Sequence, residues 1–80
     1  MYFEDKVTNI IREWKYEAKV FEPILFKYDW RTDNLNIYTS KAGTLIGFHG
    51  KTIYKYEPLL KEMFTSMKEI KFIETSGFVV

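Results

Sequence analysis

The sequence predicts an α+β domain of two layers, with helices packed on one face of a three-stranded mixed sheet. Three observations predict it. Apolar residues recur at helical spacing over residues 2–18 and again over 51–65. Two stretches between them, 24–30 and 35–40, alternate apolar and polar side chains around a four-residue polar turn. A third alternating stretch, 69–75, follows the second long helix. A crossover that runs through helices makes strands two and three parallel, with a right-handed connection.

The first helix places Phe3, Val7, Ile10, Ile11, Trp14 and Ala18 on one face. Asp5, Lys6, Asn9, Arg12, Glu13 and Lys15 fill the wet face, and Glu4 and Asp5 suit the positive end of the helix dipole. Pro23 closes the connector from Lys19. In the first strand Ile24, Phe26, Tyr28 and Trp30 share the inner face, opposite Leu25, Lys27 and Asp29. Trp14, Tyr28 and Trp30 are therefore read as core. Arg31-Thr32-Asp33-Asn34 supplies the tight turn of a hairpin spanning 24–40. The second strand sets Leu35, Ile37 and Thr39 opposite Asn36, Tyr38 and Ser40.

Residues 41–50 are short and glycine-rich, with Gly43, Gly47 and Gly50 around Leu45, Ile46 and Phe48. Part of this stretch is expected to be helical. The helix over 51–65 buries Ile53, Tyr56, Leu60 and Met63. Pro58 lies inside it and predicts a kink or irregular turn near Tyr54–Glu57. The last strand alternates Ile70, Phe72 and Glu74 with Lys71, Ile73 and Thr75. Ser76-Gly77 ends it, before an apolar tail of Phe78, Val79 and Val80.

Eighty residues suit a single domain, 1–80. At that size stability has to come from an efficient core, and the 46% apolar content supplies one. The chain has no cysteine, which excludes disulfides and thiolate metal sites. No apolar run approaches a membrane span, and the N-terminus lacks the layout of a secretory signal. These features read as a cytoplasmic protein with no membrane partner. His49 is the only histidine and the acids are scattered. Neither a metal site nor a catalytic triad can be assembled from them, so no cofactor and no enzyme activity are expected.

The net charge of +1 says little by itself. Its distribution says more. No acid lies between Asn34 and Tyr56, a stretch that carries Lys41, Lys51, Lys55 and His49. Within it stands Gly43-Thr44-Leu45-Ile46-Gly47-Phe48-His49-Gly50-Lys51-Thr52-Ile53. Two glycines three apart permit a sharp turn and let another chain's backbone approach closely. The turn feeds the start of a helix, where unpaired N–H groups and the positive dipole end favour a phosphate. A Gly-x-x-Gly alone also serves as an ordinary helix–helix turn.

Its context carries more. Ile46-Gly47-x-x-Gly50-Lys51-x-Ile53, after a hairpin and before a helix and strand, resembles the KH domain. Asn34 to Gly47 resembles the matching stretch of the type II KH domain found in a small-subunit ribosomal protein. The likeness in layout covers residues 5–75, with identity concentrated in 39–53.

The resemblance implies a type II KH fold and a module that binds single-stranded RNA, or single-stranded DNA. It implies that Gly47, Phe48, His49 and Gly50 abut the sugar–phosphate backbone. Ile46 would line the groove for bases, with Lys41, Thr44 and Leu45 flanking it. Lys51 and Lys55 would face phosphates, and the last strand would form the far wall. The loop pair Phe48-His49 departs from the basic pair usual in the family, Ala42 stands where a proline is common, and Pro58 has no counterpart. Phe48 offers a ring for stacking in exchange. Tyr16, Tyr38 and Tyr54 are further candidates for stacking, Tyr38 first.

The alternative is a degenerate KH fold that serves as a protein-interaction or ribonucleoprotein assembly element, with a protein partner or a second copy of the chain. The near-neutral charge, the non-basic loop and the apolar tail motivate it.

Overall fold

A computed structural model describes residues 3–74. Their order is α1 (Phe3–Ala18), β1 (Leu25–Asp29), β2 (Asn34–Tyr38), α2 (Ala42–Ile46), a 3₁₀ turn (Phe48–Gly50), α3 (Ile53–Met63) and β3 (Glu69–Ile73). Tyr2, Thr75 and the tail Gly77–Val80 lie outside the described residues. The sheet runs β1-β2-β3. β1 and β2 pair antiparallel, and β2 and β3 parallel, as the helical crossover requires. The helices lie on one face, so the architecture is two-layered and compatible with a KH-like fold.

The register explains the core. Phe26 opposes Ile37, and Tyr28 opposes Leu35. Leu35 opposes Ile70, and Ile37 opposes Phe72. These residues share the face under the helices. Leu35 and Ile37 are fully buried, and Ile70 and Phe72 are half-buried against them. Trp14 of α1 is also fully buried. Its indole stacks on Tyr56 of α3 at 5.9 Å and meets Phe72 of β3 edge-on at 6.1 Å. Tyr28 stacks on Phe64, just past α3, at 4.4 Å. Two aromatic clusters, one around Trp14 and one around Tyr28, thus tie both long helices to the sheet.

Helix α1 ends without a glycine. Lys19 takes the left-handed conformation, with φ of 60°. The N–H of Val20 then bonds to the Lys15 carbonyl at 3.0 Å, and that of Lys19 to the Tyr16 carbonyl at 3.1 Å. This is the Schellman arrangement, and the buried Val20 supplies its apolar contact.

Two expectations need correction. Trp30 is not core: it is 71% exposed. The strand stops at Asp29, whose carboxylate accepts the Arg31 N–H at 3.0 Å and whose carbonyl accepts the Asp33 N–H at 2.7 Å. That turn lifts Trp30 out of the inner face, leaving it edge-on to Tyr28 at 4.5 Å. Pro58 does not interrupt α3, which runs continuously from Ile53 to Met63. The carbonyl that its ring leaves without an N–H donor belongs to Tyr54, four residues earlier. The irregular backbone lies earlier, at 47–50.

Candidate nucleic-acid interface

The glycine-rich segment is anchored from beneath. Leu45 is fully buried, and its carbonyl accepts the Trp14 indole N–H at 2.9 Å. Leu45 therefore holds α2 on the core and does not flank an open groove, a correction to the expected site. Thr39 is buried beside it, and its hydroxyl accepts the Lys41 N–H at 2.9 Å where the chain turns into α2.

Gly47 ends α2 with φ of 84° and ψ of 169°, a region that essentially only glycine enters. A Cβ there would stand 2.5 Å from Thr52 Oγ1 and 2.9 Å from the Thr52 nitrogen. The close approach is locked by the Thr52 N–H, which donates to the Ile46 carbonyl at 3.2 Å. His49 follows in the left-handed region with φ of 57°, which histidine enters more readily than most residues. Gly50 has φ of 74° and open space around it, where a Cβ would stand 3.9 Å from Ile53 Cγ2. The Gly50 N–H bonds to the Gly47 carbonyl, and the Lys51 N–H to the Phe48 carbonyl. The N–H groups of Phe48 and His49 donate to no backbone carbonyl among the described residues.

The turn stands at the surface. Phe48 is 78% exposed, its ring perpendicular to that of His49 at 4.1 Å. Lys41, Thr44, His49 and Lys51 are exposed around it, while Ile46, Gly47 and Gly50 are half-buried. Eight of the expected site residues therefore lie at or near the surface along one short segment and its helix start, with Leu45 beneath.

Lys55 is the partial exception. Its ammonium turns toward α1 and bonds both oxygens of Glu17, at 2.7 and 2.9 Å. The Tyr56 hydroxyl donates to the same carboxylate at 2.6 Å. The Lys55 bond, then the Tyr56 bond, hold the Glu17 carboxyl below its ordinary range. The carboxylate in turn, with burial as the second cause, pushes the Tyr56 phenol up to about 12. Lys55 thus spends its charge on Glu17 before it meets a phosphate.

A groove of about 740 Å³ opens beside the turn, lined by Glu17, His49, Gly50, Lys51, Thr52, Tyr54 and Lys55. Tyr54 is 79% exposed on it and Tyr16 of α1 is 77% exposed nearby, on a cavity that also includes Glu17. Tyr38, the first-ranked tyrosine of the sequence, is half-buried on the sheet's other face, beside Lys27 and Trp30. Ile70 and Phe72 face the helices, so Lys71 and Ile73 take that outer face. Thr52 and Glu17 were not foreseen. Neither carries a sequence signal, since Glu17 meets Lys55 across 38 residues. Among the described residues no group of three acidic or histidine side chains could hold a metal ion, and no helix is long and apolar enough to cross a membrane.

Compared with protein-family models, curated proteins and solved structures, the chain matches none.

Proposed function

We propose that this protein is a non-enzymatic module of the type II KH kind, which grips single-stranded RNA, or single-stranded DNA, at Gly47–Gly50. The observation that supports the reading is the open turn itself: a glycine-bounded bend with two uncommitted N–H groups beside the exposed Lys51 at the head of α3. Donors of that kind suit a phosphate, and the absence of a Cβ at Gly50 lets a backbone come close. Phe48 supplies a ring for one base, with phosphates giving position and bases giving selectivity. Ile46, Thr44 and Lys41 border the bend on the α2 side. The cysteine-free chain suits a reducing, cytoplasmic setting.

A second reading has its own observation. Phe21, Leu25 and Trp30 are exposed well away from the bend in sequence, and Leu25 and Trp30 lie on or beside β1. Large exposed apolar side chains of this kind suit a protein partner or a second copy of the chain. A salt titration separates the two. Binding of a single-stranded RNA through about three phosphates gives a slope of log affinity against log salt of about −2. A complex held by Phe21, Leu25 and Trp30 is nearly indifferent to salt. A flat titration with RNA overturns the first reading.

A further inference from the structure

Tyr16 and Tyr54 have no role in the core, yet each presents a large ring to solvent on the helical layer. The groove beside the Gly47–Gly50 turn runs from His49 and Lys51 past Tyr54 to Glu17 of α1. A second cavity of about 390 Å³ begins at the same Glu17 and is lined by Arg12, Glu13, Tyr16 and Tyr56. The two hollows therefore meet at one side chain. We propose that they form a single track, along which a bound single strand continues from the turn, over α3, to a second subsite on α1. This rests on the reading of the turn given above.

The chemistry suits a polynucleotide. Stacking on exposed rings is tolerant of sequence, because every base has a flat face. Tyr54 lies on the first hollow and Tyr16 on the second. Cations stand at both ends, Lys51 by the turn and Arg12 on α1, whose guanidinium is also bonded to Asn9 at 3.1 Å. The acid at the junction is compensated: Glu17 is bonded by Lys55 and by the Tyr56 hydroxyl, so it presents little free charge to a passing phosphate. Glu13 remains the one acid on the track without such a partner, which places the phosphate path on the Arg12 side of the second hollow. The track makes the footprint longer than the four nucleotides that the turn alone holds.

The test uses oligouridylates of four and eight nucleotides with the whole chain and with Tyr16→Ala, measured by fluorescence anisotropy. Tyr16 is exposed, so its truncation leaves the fold intact, which circular dichroism checks. The parent should bind the longer oligomer about tenfold more tightly than the shorter, beyond the few-fold gain from additional registers. Tyr16→Ala should bind the short oligomer as the parent does and lose most of the gain with length. An equal gain in the variant, or no gain in the parent, overturns the track and leaves the turn as the whole site. No binding of either oligomer by the parent overturns the reading of the turn, and the track with it.

Discussion

Gly47→Ala should lower the stability of the domain by about 2–4 kcal/mol, the largest effect expected among the three described glycines. Two costs combine. The backbone at φ of 84° and ψ of 169° is closed to alanine. The added Cβ also meets the Thr52 nitrogen at 2.9 Å, and backbone cannot swing aside as a side-chain tip can. Relief requires breaking the Thr52–Ile46 bond that closes the bend ahead of the third helix. Gly50→Ala meets only the backbone cost, about 1 kcal/mol, because its surroundings are open. Gly43→Ala meets nothing within 4 Å and lies in a helix, where alanine is the better residue. Urea unfolding of the three variants should give that order. Equal midpoints for Gly47→Ala and Gly50→Ala would contradict the close approach at Thr52.

The double change Phe48→Asp with His49→Asp should reduce affinity for single-stranded RNA by about 100-fold while stability stays near the parent's. Both side chains are exposed, and aspartate tolerates the left-handed conformation at position 49. The loss has two parts. A stacked ring contributes about 1–3 kcal/mol. Each new carboxylate near a phosphate adds about 1 kcal/mol of repulsion in water. Together they come to about 3–5 kcal/mol, so the stated factor is the lower end of the expected loss. Parental affinity in the double variant would place the strand elsewhere.

Much of this architecture is legible in the chain. Val7, Ile11 and Trp14 at helical spacing, and Leu35, Ile37 and Thr39 at strand spacing, mark faces that are indeed buried. The turn was visible as two glycines three apart. Which of them is obligatory was not, because the constraint on Gly47 comes from Thr52 folding back over it. Alternation carried Trp30 into the inner face since it has no mark for where a strand stops. The stop lies in a turn held by the Asp29 carboxylate. Leu45 and Ile46 are adjacent in a five-residue helix, too short for periodicity to say which of them points inward. Lys55 reads as a free cation until its partner on the first helix is seen.

The central claim is that the strand is held at the bend between the second and third helices. Amide chemical shifts of the ¹⁵N-labelled chain, followed while RNA and DNA tetranucleotides are added, test it most directly. The account predicts shifts concentrated at residues 44–55, with the Phe48 and His49 amides moving furthest. Shifts confined to Lys27, Asn36 and Tyr38 on the far face of the sheet, or none at all, would contradict it.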